Sequence, residues 1–125
     1  MLGCNESVTL WKRNFNAETK KDEYALSILP VLCKWKSRAI RTATENGAII
    51  KQYVTVIIPC GSFFAFDGKV GDIMARGVHT VKITGEKPYT ASEVKQLLSP
   101  DIIEIKAVYD NSRVERGRHV KVEGV

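Results

Sequence analysis

Three cysteines and two histidines are the side chains in this sequence that could hold a metal ion. They do not occur at metal-binding spacing, because no pair forms a C-x-x-C or H-x-x-x-H motif. An odd number of widely spaced cysteines also argues against a disulfide framework and fits a reducing compartment. We therefore expect no metal site and interpret the thiols as buried or half-buried. The residues are Cys4, Cys33, Cys60, His79 and His119.

The sequence also lacks the residue patterns typical of nucleophilic or acid–base catalysis. A catalytic Cys or Ser needs a His that a carboxylate orients, and both histidines fall on predicted strands. Glu18, Asp22 and Glu23 fall in a predicted polar loop, and Glu104 alternates with isoleucines as an outward strand residue. The glycines never form G-x-G-x-x-G or a P-loop. The sequence therefore predicts a protein that is not an enzyme and has no catalytic residues and no cofactor.

Basic residues form two groups that could follow a phosphate backbone. The first group lies along one predicted strand and consists of Lys34, Lys36, Arg38 and Arg41. The second lies at the last turn and strand and consists of Arg113, Arg116, Arg118, His119 and Lys121. The alternative, a solvated strand face with a charged hairpin, is favoured because no aromatic residues are interleaved with either group. The candidate DNA-facing residues are Arg113, Arg116, Arg118 and Lys121.

Three phenylalanines, Phe63, Phe64 and Phe66, lie between Gly61 and the turn pair Asp67-Gly68. In one interpretation this loop folds back and plugs an end of the barrel. In the other it is an exposed patch that a neighbouring subunit covers, since a soluble monomer rarely leaves contiguous aromatic side chains in water. We take the three phenylalanines as candidate residues of a subunit interface.

Short runs of β-branched and aromatic residues predict mostly strands. In residues 7–12, apolar side chains occur on both faces of the predicted strand. Residues 14–23 are polar and predict a hairpin loop. The next apolar run, residues 24–40, contains Pro30 and is expected to break there, because proline is excluded from a central ladder.

Further strands follow a predicted hairpin turn at Asn46-Gly47, a dipeptide suited to positive φ. The strongest strand in the chain comes directly after this turn. The remaining strands are short, and a polar, basic turn at residues 110–118 joins the last two. The predicted strands are residues 48–58, 70–75, 78–84, 102–109 and 119–124.

One helix is predicted, Ala91–Leu98. Thr90 suits the N-cap, and Glu93 three residues later completes a capping box. Tyr89 is placed to form a hydrophobic staple with Val94. The apolar stripe expected to dock on the sheet is Val94, Leu97 and Leu98.

Composition sets the outer limits of the interpretation. At 125 residues, with 44% hydrophobic and 26% charged side chains, the chain is expected to fold as one soluble β-barrel domain over residues 1–125. No apolar run reaches the roughly 18 residues that cross a bilayer, and the N-terminus does not resemble a secretory signal. The net charge of +5 is compatible with contact to nucleic acid, contact to an acidic protein surface, or solubility alone.

These signals together predict a mainly β protein, a small antiparallel β-barrel or sandwich of about seven strands with one short helix. A family resemblance appears when the segments are taken in order. The segments in question are Val8-Thr9-Leu10, Trp35, residues 54–59, Gly71-Asp72-Ile73, Gly77, residues 90–98, residues 102–109, Asp110-Asn111-Ser112-Arg113 and residues 119–124. In this order they resemble the small minor capsid, or head–tail connector, proteins of Firmicute phages and prophages.

The resemblance implies a structural role in a virion assembled in the host bacterial cytoplasm. The subunit would be a head-completion stopper or adaptor that forms an oligomeric ring, with portal or adaptor proteins and tail proteins as neighbours. Double-stranded DNA would pass through the ring, and no membrane would be involved. The alternative function is a free-standing β-barrel that binds nucleic acid.

Overall fold

The computed structural model describes residues 4–18, 20–60, 65–111 and 119–125. Their chain order is seven strands with one helix between the fifth and sixth. The elements are β1 (Val8–Asn16), β2 (Lys21–Ile28), β3 (Lys34–Thr44), β4 (Gly47–Pro59), β5 (Ile73–Arg76), α1 (Ala91–Leu98), β6 (Ile102–Asn111) and β7 (His119–Gly124). The mainly β class, the seven strands and the short helix are confirmed.

All strand pairs are antiparallel, in the order β2-β1-β5-β6-β7-β4-β3. The expectation of a closed barrel is wrong, because β2 and β3 stand at the two ends of this order and do not pair with each other. After β2, which pairs with β1, the chain passes Pro30, which has no N–H to donate. It then forms β3, which pairs with β4 instead. An isolated two-bond bridge links Glu6, just before β1, to Cys33, just before β3, with N···O distances of 3.0 and 2.7 Å.

The main core lies on one face of the sheet and draws on β1 and β3 to β7. Alternation places every second side chain of these strands inward, so the strongly patterned strand β4 contributes Val54, Val56 and Ile58. The members of this core include Val8, Leu10, Trp35, Met74, Ile103, Ile105, Val120 and Val122. A bulge at Lys106 shifts the register of β6 against β7 between Ile105 and Ala107.

A second core lies on the opposite face, where the intervening residues of β1 and β5 place Trp11 and Ile73. It is covered by α1 through Val94 and by the segment before the helix through Ile83. Both faces of the first strand are therefore buried, as the alternation of residues 7–12 predicts.

The segment 78–84 is not a strand, contrary to the prediction. Side chains of β1 occupy the backbone groups that a ladder would use. The Trp11 indole N–H donates to the Val81 carbonyl at 2.9 Å, and the His79 N–H donates to the Thr9 hydroxyl at 3.0 Å. Because these bonds come from side chains about 70 residues away in sequence, the β-branched composition of the segment was misleading.

Helix α1 begins and ends where the sequence predicts. The Glu93 N–H donates to the Thr90 hydroxyl at 3.3 Å, and that hydroxyl donates to the Glu93 carboxylate at 2.8 Å. Val94 is buried and Leu98 packs against the second core. Leu97 is 64% exposed, so its expected place in the docking stripe is wrong. The helix is short and its buried stripe is narrower than predicted.

Both N-terminal hairpins extend beyond their neighbours in the sheet. Residues 14–23, expected to be a loop, continue the β1–β2 ladder through the pair Asn16↔Lys21. The β3–β4 hairpin has a two-residue turn, and Gly47 takes the positive φ of +117° that the Asn46-Gly47 signal predicts. Polar composition was a poor guide to where these ladders stop, because a two-stranded ribbon exposes both of its faces.

Candidate interaction surfaces

The β3–β4 hairpin projects from the sheet as a two-stranded ribbon. Strand β7 pairs with β4 from Pro59 only as far as Val54, and no other described strand pairs with the ribbon beyond that point. We call its free part, residues 37–53, the arm. At about 3.3 Å per residue, its eight residues of β3 span roughly 26 Å. The arm therefore presents two faces and the outer edge of β3 to its surroundings.

One face of the arm continues the face that forms the main core. The cross-strand pairs Ser37↔Val54, Ala39↔Gln52, Arg41↔Ile50 and Ala43↔Ala48 alternate from the buried pair Trp35↔Val56. We call this the core-side face. Most of its residues are small, and Ile50 is 70% exposed. An exposed aliphatic side chain of that size contributes hydrophobic stabilisation only when another molecule covers it.

The opposite face is basic. Lys34, Lys36 and Arg38 alternate with the core-side residues along β3, and their cross-strand partners are Ile57, Thr55 and Tyr53. Lys34 is half-buried at the base of the ribbon, while Lys36 and Arg38 are exposed. We call this row the basic face. Tyr53 stands directly opposite Arg38, so the structure brings an aromatic residue to the basic face, whereas Trp35, between Lys34 and Lys36 in sequence, lies in the main core on the other face.

The predicted aromatic loop is only partly described. Phe63 and Phe64 lie outside the described residues, so their role at an interface stays a prediction. Phe66 is half-buried against the main core. Its ring covers Gly68 so closely that a Cβ there would lie 2.2 Å from the tip of the ring. At this position the loop packs back on the protein.

The predicted basic turn is described only at its last candidate. Arg113, Arg116 and Arg118 lie outside the described residues. The Lys121 ammonium lies 3.4 Å from the Glu123 carboxylate and 5.5 Å from the centre of the Tyr109 ring. Because a neighbouring carboxylate compensates part of its charge, Lys121 is a weaker phosphate ligand than an unpaired lysine would be.

The Gly71-Asp72 pair, part of the resemblance, has a structural role. Asp72 is buried, and its two carboxylate oxygens accept the backbone N–H groups of Arg13 and Lys69, both at 2.9 Å. Gly71 has φ of +97°, and a Cβ there would meet the Arg13 guanidinium at 2.6 Å. The pair therefore anchors β1 at Arg13, two residues beyond its ladder with β5. Sequence reasoning missed this role, although a Gly-Asp turn before a strand is a recognisable signal.

The candidate chemical residues do not assemble into a reaction centre. His79 stacks on Trp11, and its ring lies 2.7 Å from the Arg76 carbonyl oxygen. All three cysteines are free thiols, and desolvation, with smaller effects of Cys4 and Cys60, raises the pKa of Cys33 to about 12. Such a thiol stays protonated and unreactive at neutral pH.

Among the residues that the structure describes, no three His, Cys, Asp or Glu side chains group as metal ligands. In the same residues, no helix is long and apolar enough to cross a bilayer.

The fold and its surfaces define a class of mainly β protein in which a projecting two-stranded arm is the main candidate for function. The chain belongs to DUF6751, a family of unknown function, whose model matches residues 3–125. No curated protein and no solved structure matches the chain. The family match covers almost the whole chain and assigns no function to it.

Proposed function

We propose that the protein is a non-enzymatic structural subunit that assembles with copies of itself into a ring. We further propose that this ring is a head–tail connector of a tailed-phage or prophage particle, through which double-stranded DNA passes. Portal or adaptor proteins and tail proteins would be its other neighbours in the virion. The first part of the proposal is supported by the arm, and the second by the resemblance described above.

The observation that carries the proposal is the uncovered core-side face of the arm. A two-stranded ribbon alone is marginally stable in water, because it buries little apolar surface. Here the ribbon continues the core face outward, and Ile50 stands largely in solvent next to Ala48 and directly opposite Arg41, whose aliphatic stem shares the face. Covering this face with a neighbouring copy would bury apolar surface that the isolated subunit leaves in water.

The two sheet edges supply the asymmetry that a ring needs. A ring contact is heterologous, so one patch must meet a different patch on the next copy. Strand β2 forms one edge and β3, which is three residues longer, forms the other. An exposed edge strand carries unpaired backbone groups that a neighbouring strand can satisfy. The arm of one subunit lying against the β2 side of the next would use both features.

Self-association is tested by sedimentation velocity over a wide range of protein concentration, with negative-stain microscopy of the largest species. We expect association to closed rings for the unaltered chain. Ile50→Ser should raise the concentration of half-association about tenfold, because burying one aliphatic side chain contributes about 1.5–3 kcal/mol. Leu97→Ser, which changes a similarly exposed residue on helix α1, is the matched control and should leave association unchanged.

Two outcomes would contradict the assembly proposal: a monomer at every concentration, or equal effects of the two substitutions. The aromatic loop is tested in the same experiment through Phe63→Ser/Phe64→Ser. A folded variant with weaker association would support these residues as an interface. Loss of the folded monomer on denaturant titration would instead show that they belong to the core.

The place in a phage particle has a separate test. Portal and major capsid genes immediately upstream are expected if the chain is a head–tail connector. A gene neighbourhood without any virion gene would argue against that placement while leaving ring assembly to the sedimentation experiment.

A free-standing nucleic-acid-binding protein is the second candidate, and the basic face is the observation that favours it. Such a protein would bind DNA as a monomer without forming rings. If its site were the C-terminal basic turn, binding with a steep salt dependence would be lost in an Arg116→Ala/Arg118→Ala variant. Ring formation by the unaltered chain would count against this candidate.

A further inference from the structure

The basic face is a short, regular row of cations on the β3–β4 hairpin. Lys34, Lys36 and Arg38 occupy three alternate positions at the start of β3. Alternate residues of a strand lie about 6.6 Å apart on the same face. The three cationic side chains therefore start from points on one line about 13 Å long. A straight, evenly spaced row of this kind suits a ligand whose negative charges are also repeated at regular intervals.

Among the residues that the structure describes, these cations have no ion-pair partner. Four ion pairs occur among the residues that the structure describes, and their basic members are Lys12, Arg76, Lys106 and Lys121. In the same part of the chain, no ion pair involves the basic face. The charges are therefore available to a ligand from outside, and their field adds along the ribbon.

The sequence concentrates positive charge in this hairpin. Residues 34–59 contain five basic residues and one acidic residue, a net charge of +4 against +5 for the whole chain. The β1–β2 hairpin, residues 8–28, contains four basic and three acidic residues, a net charge of +1. The excess of charge therefore lies on the β3–β4 hairpin.

The composition and geometry of the row favour a DNA duplex as the ligand for three reasons. Protein–protein interfaces are depleted in lysine, so a row that includes two lysines favours a phosphate polymer over an acidic protein. The major groove of B-DNA, about 12 Å wide, admits a two-stranded ribbon such as the arm, and the basic face at the base of the arm would then meet the phosphates. The corresponding groove of an RNA duplex is deep and narrow and excludes side chains. A DNA duplex is the polymer that fits best.

We propose that the basic face of the β3–β4 hairpin binds the phosphate backbone of double-stranded DNA without sequence preference. The proposal deepens the proposed function, and it rests on that function only for the place where DNA is met, inside a ring. It assigns the DNA contact to this hairpin rather than to the C-terminal basic turn. The core-side face remains available to the neighbouring subunit, so assembly and DNA contact use opposite faces of the same hairpin.

Fluorescence anisotropy of a labelled 20-base-pair duplex, titrated with the full chain between 50 and 200 mM salt, tests the site. About three phosphate contacts give a slope of log affinity against log salt near −3. Lys36→Ala/Arg38→Ala should weaken binding at least tenfold and reduce the slope by about 2. Lys82→Ala/Lys87→Ala, an exposed basic pair outside both hairpins, removes the same charge and is expected to change affinity less than twofold.

The outcomes divide clearly. Equal losses in the two variants would show attraction by net charge alone and overturn the proposal. Loss in Arg116→Ala/Arg118→Ala with no loss in Lys36→Ala/Arg38→Ala would overturn it in favour of the C-terminal turn. Tighter binding of an RNA duplex, or displacement of DNA by polyglutamate at equal charge concentration, would overturn the assignment to DNA.

Circular dichroism of each variant checks the fold, and sedimentation velocity on the same samples separates this inference from the proposed function. DNA binding that fails while rings form would overturn the inference alone. Rings that fail while Lys36→Ala/Arg38→Ala still loses DNA binding would overturn the assembly proposal alone.

Discussion

The two N-terminal hairpins have similar backbones and different surroundings. The β1–β2 hairpin is held beyond its ladder with β5 by side chains, since Asp72 receives the Arg13 N–H and Asp67 pairs with Lys12 at 2.7 Å. Tyr24 and Leu26 of the same hairpin pack on the second core. Past Val54, the described residues provide no comparable support for the β3–β4 arm. The β1–β2 hairpin is therefore held against the rest of the fold by side-chain contacts, whereas the β3–β4 arm extends away from it.

The largest expected effect is a contrast within strand β4. Ile58 is 0% exposed and Ile50 is 70% exposed on the same face of the same strand. Ile58→Ala should lower the free energy of unfolding by about 2–5 kcal/mol, because it leaves a cavity in the core. Ile50→Ala should change it by about 0.5 kcal/mol or less in the monomer. Urea denaturation at low protein concentration measures both, and equal losses would contradict the distinction between base and arm.

The second effect concerns the anchor of the β1–β2 hairpin. Asp72→Ala leaves the backbone N–H groups of Arg13 and Lys69 without their carboxylate acceptor. We expect a loss of about 2–3 kcal/mol in the free energy of unfolding, because unsatisfied buried donors are costly. Asp72→Asn retains one acceptor oxygen and should lose less. A variant as stable as the unaltered chain would show that the hairpin does not depend on this anchor.

The smallest effect belongs to the exposed pair Lys12–Asp67. The hydrogen bond from Lys12 lowers the pKa of Asp67, so the pair stabilises the folded state above pH about 4 and this contribution is lost as the pH falls below that value. Solvent screens the pair, because the Asp67 side chain is 69% exposed. Asp67→Asn should therefore change the free energy of unfolding by less than about 0.5 kcal/mol at pH 7. A difference that grew towards low pH would contradict this sign.

Much of the fold was predictable from local signals. The cap Thr90, the break at Pro30 and the turn at Gly47 each act through backbone groups of nearby residues, so their effects are legible in sequence. The segment 78–84 was not predictable, because distant side chains of β1 satisfy its backbone. The absence of closure between β2 and β3 was equally hidden, since strand order depends on which non-local pairs form.

The candidate surfaces divide in the same way. The basic row of β3 was visible as alternation, and its residue types came from the sequence alone. The sequence did not show that the hairpin projects beyond the sheet. This follows from the pairing of β7, which reaches only Val54, so that no other described strand supports the rest of the ribbon. Tyr53 also joins Arg38 only through the register of the hairpin.

The sequence by itself determined the periodicity, turns, helix cap and charge of this protein, because those depend on neighbouring residues. Only the tertiary structure decided which hairpin the remaining sheet supports and which one projects. Strand pairing brings together residues distant in the chain, and each pairing depends on the apolar surface that all the others bury.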